Sequence, residues 1–229
     1  MRPAKLNRRF FMASAAASAL RAADTKLLLP SDQPDEFHFR LMWYSPVPPI
    51  DQAAYRLQVK GLVDREWSLS VADLRRFPRE AQNTRMKCVQ CWSARAEWGG
   101  FRFGHLLEIA KPKAGAKAVR VECADKWYEY FSIADLLSPR VLFAMDMQGQ
   151  PLADRHGAPL RLIDPARYGY KSAKLITSIE FVREGKGSMA CDIGPYYSPT
   201  GEIQAGYDTP LDLGGTAKHK IRGGEITEY

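Results

Sequence analysis

Several kinds of chemistry are excluded by what this chain of 229 residues lacks. It carries no glycine-rich loop of the Walker or dinucleotide-binding type, whose backbone N–H groups would cradle phosphates. It shows no internal repeat and no low-complexity tract. The apolar run near its start, Phe10 to Leu20, is eleven residues long, against the roughly 20 needed to cross a bilayer. A basic surface is largely missing as well. The net charge of +7 falls to +2 once residues 1–23 are set aside, because Arg2, Lys5, Arg8, Arg9 and Arg21 lie there without a single acid. A nucleic-acid partner, which needs a basic face on the folded domain, thereby loses its main support. Cysteine is scarce: of Cys88, Cys91, Cys123 and Cys191, only the first two are close together. A four-thiolate zinc site usually shows two such pairs. Trp92, where a His would stand, weakens covalent haem attachment.

What is present describes an ordinary globular protein. Hydrophobic residues make up 45% of the chain, enough for one cored domain, and a second full domain would be cramped. Charged residues at 26% and aromatics at 11% match common soluble usage. The N-terminus combines a basic stretch, the short apolar run and small residues at Ala17-Ser18-Ala19, the layout of a cleavable signal peptide over residues 1–23. Paired arginines in "NRRFFMA" resemble the twin-arginine export signal, with Asn7 where Ser or Thr is usual. A Sec signal or an amphipathic first helix are the alternatives. The twin-arginine machinery moves folded proteins, often with a cofactor already inserted, so the signal points to a periplasmic, cofactor-bearing protein.

Residues 24–54 are proline-rich and predict an extended lead-in crossing the domain surface. From residue 55 the pattern changes. "YRLQVKGLV" puts Tyr55, Leu57 and Val59 on one face of a strand, and "SVADLRRFP" predicts a short helix capped by Ser70 and closed by Pro78. A helix over 104–110, a strand over 118–123, a Ser132-capped helix, strands near 141–147 and 159–164, and a strand over 175–182 follow. Short helices among many strands, without a clean βαβ repeat, give a mixed α+β domain over 55–184. Residues 185–229 form a tail expected to wrap the core, too short for a further sandwich domain of roughly 100 residues.

Two stretches carry candidate chemistry. "KCVQCWS" (87–93) sets Cys88 and Cys91 three apart. A disulfide suits an oxidising compartment. A thioredoxin-like pair would open a helix, yet "WSARAEWGG" brings Gly99 and Gly100 early. One thiolate binding a soft metal centre that brings its own sulfur ligands is the remaining possibility. The second stretch, "DRHGAPLRLIDPARYGYKSAKLI" (154–176), holds Arg155, His156, Arg161, Arg167, Lys171 and Lys174, with Asp154 and Asp164 as its acids. Gly157, Pro159, Pro165 and Gly169 fix turns around the cations, as a loop that presents an anion site would require.

Taken in order, "KCVQCWS", Trp98, "GFRFGHLL", "HGAPLRL" and "YGYKSAKLI" resemble the molybdopterin-binding domain of the sulfite oxidase family, nearest the periplasmic branch that contains the methionine sulfoxide reductase catalytic subunit. The resemblance implies a molybdenum centre with one pyranopterin dithiolene and one protein thiolate. Cys88 matches the thiolate position. His156 and Arg161 match positions that hold the pyranopterin and its phosphate, and Ser172, Ala173 and Lys174 a backbone-plus-lysine clamp on that phosphate. Cys123 sits where relatives carry a cofactor-contacting Thr. In "FRLMWYS" (39–45), which departs from the family's usual Arg-Asn-His triplet, Arg40 and Tyr44 are the candidates.

The implied reaction is two-electron oxygen-atom transfer. Sulfite, a compact anion, would call on Arg95 and Arg167. A neutral sulfoxide would call on aromatics such as Trp92, Trp98, Tyr128, Tyr130 and Tyr168. With no haem or flavin motif in the chain, electrons would pass through a separate partner, a periplasmic cytochrome or a membrane haem subunit. Without the C-terminal immunoglobulin-like dimerisation domain of sulfite oxidases proper, a monomer is expected. The competing functions are a thiol-disulfide oxidoreductase using Cys88 and Cys91, and a pterin-binding domain without catalysis.

Overall fold

The computed structural model describes residues 27–29, 31, 33–41, 43–89, 93–194 and 197–203, and the backbone of two short strands at 207–208 and 219–220. Residues 1–23, expected to be an export signal, together with Cys91, Trp92 and most of the tail, lie outside the described residues. In chain order the elements are β1 (Leu57–Gly61), β2 (Trp67–Leu69), α1 (Val71–Leu74), β3 (Glu80–Lys87), β4 (Ser93–Phe101), α2 (Phe103–Ala110), β5 (Ala118–Cys123), β6 (Tyr128–Ser132), α3 (Ile133–Leu136), β7 (Leu142–Met147), β8 (Gln150–Pro151), β9 (Arg161–Ile163), β10 (Ile176–Val182) and α4 (Met189–Ile193).

The strands make two sheets and an α+β fold. One sheet runs β2-β1-β10-β5-β6, antiparallel except for the parallel pair β1 and β10. The other runs β3-β4-β7-β8, with β9 also pairing to β7. Alternation explains β1: Leu57 and Val59 are fully buried, and Tyr55 beneath them donates its hydroxyl to the Ile176 carbonyl at 2.6 Å. The main core draws on both sheets and α2, including Leu57, Val121, Phe103, Leu106, Phe143 and Phe181. Every residue of β7 is buried because its sheet is covered on both faces, Phe143 and Met145 facing that core and Leu142 and Ala144 a second one around Trp98.

Ser70 and Ser132 cap α1 and α3 through matching capping boxes, with Asp73 and Asp135 returning the bond. The strands β3 and β4 escape a hydrophobic scan, since the buried face of β4 is built from Ala94, Ala96 and Trp98 between Arg95 and Glu97. Gly100 lets β4 cross β7 at a bulge: a Cβ there would sit 2.0 Å from the Phe143 carbonyl oxygen.

The lead-in goes deeper than a surface crossing. Phe39, Leu41, Trp43 and Val47 are buried, with bridges Leu28 to Val47 and Ser31 to Leu41 holding it in an antiparallel arch. Further on, 197–203 returns along 166–171. Tyr168 N–H donates to Gly201 O at 2.8 Å, and Ile203 N–H to Ala166 O at 3.1 Å.

Candidate active site

Cys88, the first residue after β3, lies on the wall of a cavity of about 370 Å³. Met86 to Val89 form one side. Arg161 enters from β9, and Gly169, Tyr170 and Ser172 to Lys174, from the segment leading into β10, supply another side. The lead-in contributes Phe39, Arg40, Leu41, Trp43 and Tyr44, and the β5–β6 turn contributes Asp125 and Trp127. The walls are held together by backbone N–H groups bonded to backbone and side-chain oxygens. Leu162 N–H donates to Ala173 O at 2.8 Å and Asp164 N–H to Ser172 Oγ at 3.2 Å, tying β9 to the 172–174 segment. Asp125 accepts from the N–H groups of Tyr44 at 3.1 Å and Trp127 at 3.2 Å, which pins the lead-in to the turn.

The charge in this cavity is positive and costly. Arg161 is 4% exposed; it donates to the His156 carbonyl at 2.9 Å, contacts Met86 Sδ at 3.7 Å and lies 4.8 Å over the Trp98 ring. Its Nε has no hydrogen-bond partner, and no ion pair to it exists among the described residues. Burial brings its pKa down to about 9. Lys174 stacks over Trp43 at 4.1 Å, and desolvation together with the Arg161 charge lowers its pKa to about 7. Gly157, in the left-handed region at φ 100°, allows this approach, since a Cβ would meet Lys174 Cβ at 2.8 Å. An anionic ligand would relieve both cations. Among the described residues, no three His, Cys, Asp or Glu side chains converge as a metal site, so a metal at Cys88 would need ligands brought with it.

The expected site residues separate into two groups. Cys88, Arg161, Ser172, Ala173, Lys174, Tyr44 and Arg40 line the cavity together. His156 stands behind it, 3% exposed, with Nε2 3.0 Å from Asp35 Oδ2 and its carbonyl holding Arg161; burial and the Arg161 charge push its pKa down to about 4. Cys123 belongs to the core, where burial raises its thiol pKa well above the usual value. Arg95 is on the exposed face of β4, donating to Asn83 Oδ1 at 3.1 Å, and Tyr168 is buried, stacked on Tyr170. Neither is among the lining residues.

Arg167 faces elsewhere too, paired with Asp164 at 2.5 Å and Asp135 at 2.8 Å. Trp98 is core, and Tyr130 borders a separate groove with Arg167. Of the aromatics that line the cavity, Tyr44 was a sequence candidate, whereas Trp43, Trp127, Tyr170 and Tyr197 were not singled out, nor were Lys87 and Asp125. Lys87 was legible as the neighbour of Cys88. The others come from turns whose spatial company no local pattern announces.

Comparison with known proteins identifies the family. The model of the family "Oxidoreductase molybdopterin binding domain" matches residues 44–190. A putative protein-methionine-sulfoxide reductase subunit YedZ1 of Azospira oryzae is 35% identical over 58% of this chain and 51% of its own length. The protein-methionine-sulfoxide reductase catalytic subunit MsrP of Campylobacter jejuni is 32% identical over 57% of this chain and 50% of its own. An uncharacterized oxidoreductase, YuiH, of Bacillus subtilis is 33% identical over 72% of this chain and 84% of its own. The chain thus spans about half the length of the first two. In fold it is similar to the sulfane dehydrogenase SoxCD of Paracoccus pantotrophus, with a TM-score of 0.61 at 21% identity, covering 70% of this chain and 48% of that one.

Proposed function

Because this chain belongs to the family of oxidoreductase molybdopterin-binding domains, we propose that it holds a molybdenum–molybdopterin group beside Cys88 and catalyses two-electron oxygen-atom transfer on a small sulfur substrate. One observation carries the proposal: Cys88, Arg161, Ser172, Ala173 and Lys174, drawn from three separated segments, meet in a single cavity. The residues fit such a group. A buried guanidinium with an orphaned Nε and a lysine of suppressed charge suit a phosphate. The thiol is a soft donor, and the cavity lies at the low end of the volumes that ligands occupy.

When bound, the group supplies a centre that exchanges an oxygen atom and two electrons with substrate. The protein's residues bind and orient. The Cys88 thiolate is the metal ligand, Arg161 and Lys174 neutralise the phosphate with the backbone of 172–174, and the indoles of Trp43 and Trp127 keep bulk water from the cavity walls. Loss of oxygen from a sulfoxide takes up two electrons and two protons and releases water; oxidation of sulfite draws its oxygen from water and returns the same electrons and protons. The relatives' names favour the sulfoxide. Both names say "subunit", which supports a separate electron-transfer partner, a haem protein in our proposal. The "NRRFFMA" motif supports twin-arginine export and a periplasmic location, where we propose a monomer.

Elemental analysis of the purified, cofactor-loaded full chain tests the ligand assignment. Parent and Cys91→Ser should carry roughly one molybdenum per chain, and Cys88→Ser should lose most of it. A parent chain whose activity needs both cysteines and survives without molybdenum would replace this proposal with a dithiol enzyme.

A further inference from the structure

The family match ends at residue 190, but the cavity continues beyond it. Ile193, the last residue of α4, and Tyr197 also line the wall. Their attachment is firm. Ser188 caps α4, its Oγ accepting from Ala190 N–H at 3.2 Å and donating to Glu129 Oε1 at 2.8 Å. Tyr197 is folded back by its N–H to Gly194 O at 3.1 Å and by Cys191 Sγ to its own carbonyl at 3.4 Å. Its ring meets Tyr170 edge-on at 5.1 Å, and the Tyr170 hydroxyl donates to Ser198 O at 2.7 Å. Tyr170 adjoins Gly169, where an added Cβ would lie 3.9 Å from Cys88 Cα. Through this turn, 189–194 and 197–203 are registered to the thiolate.

What they bring is apolar. Ile193 is 52% exposed and Tyr44, another lining residue, 45%, each large and uncovered at the same cavity. Exposed apolar side chains in a concave site mark ligand contact. A bare oxyanion buries nothing against isoleucine or a phenol ring, whereas an aryl or branched alkyl group gains by leaving water.

We propose that Ile193 and Tyr197 are specificity-determining residues that receive the apolar substituent of an organic sulfur substrate, so that this chain prefers aryl or branched alkyl sulfoxides to small or inorganic ones. The inference rests on the proposed function, which puts the reacting centre at Cys88.

The test compares the cofactor-loaded parent with Tyr197→Ala, Tyr197→Phe and Ile193→Ala, using methyl phenyl sulfoxide, dimethyl sulfoxide and sulfite. Binding is followed by quenching of tryptophan fluorescence, since Trp43 and Trp127 line the cavity, and KM and kcat are measured alongside. Each alanine variant should raise Kd and KM for the aryl sulfoxide about tenfold more than for dimethyl sulfoxide, so that the ratio between the two substrates falls, and Tyr197→Phe should retain the parent's preference. An equal change for both sulfoxides, or none, overturns the inference. Should no compound turn over while the aryl preference in binding still depends on Ile193 and Tyr197, the proposed function fails and the inference stands. Turnover without that dependence leaves the proposed function standing and overturns the inference.

Discussion

Lys171 and Lys174 are three residues apart, and the structure treats their charges in opposite ways. Lys171 is 1% exposed, bonded to Glu129 at 2.5 Å, to Tyr130 O at 3.0 Å and to Pro199 O at 3.1 Å, with Phe131 beneath its ammonium. Arg167 beside it is held between two carboxylates. Across the segment, Lys174 stacks on an indole and Arg161 rests on a carbonyl, a thioether and another indole, and burial lowers the pKa of both. The first region is an electrostatic rivet that fastens the returning chain. The second keeps positive charge in store at the cavity. Buried cations with lowered pKa values in a concave site are where an anionic ligand gains most.

The largest effect should come from breaking the rivet. Lys171→Met leaves Glu129 buried and uncompensated, and urea unfolding should show a loss of about 3–5 kcal/mol. Adding Glu129→Leu should recover much of it, because the cost lies in the stranded charge.

On the cavity side, Arg161→Ala should change folding stability far less and cofactor retention more. Loss of a charged contact of about 1.5–3 kcal/mol corresponds to roughly ten- to 150-fold weaker binding, read from pterin released on dialysis. Full retention in this variant would erase the contrast between the two regions.

The smallest effect, read per pH unit, comes from His156. Burial and the Arg161 charge hold His156 at about 4, against an ordinary 6.5, so the unfolded chain takes up a proton first as pH falls. Stability is therefore lost between pH 6.5 and about 4, with a slope from this group approaching 1.4 kcal/mol per pH unit. His156→Gln should flatten that part of the unfolding profile.

Most elements were legible because their signals are local. The Ser70 and Ser132 caps, the apolar alternation of β1 and the apolar run of β7 each express a requirement satisfied within a few residues. The β3–β4 pair was not, because a strand whose buried face is alanine carries little hydrophobic contrast. Of the cations in 154–176, sequence could name all six, yet only Arg161 and Lys174 line the cavity. Arg155 turns to Asp35 and Glu36, and Arg167 and Lys171 to carboxylates from α3, β6 and the segment after β9.

Order along the chain, then, determined the family blocks, the caps and the candidate thiolate, since each depends on neighbours a few bonds away. Which cations would pair with carboxylates and which would line the cavity was decided only when distant carboxylates, indoles and residues 197–203 came to rest against them. Coulomb energy and desolvation depend on distance through space, and no short stretch of sequence contains that distance.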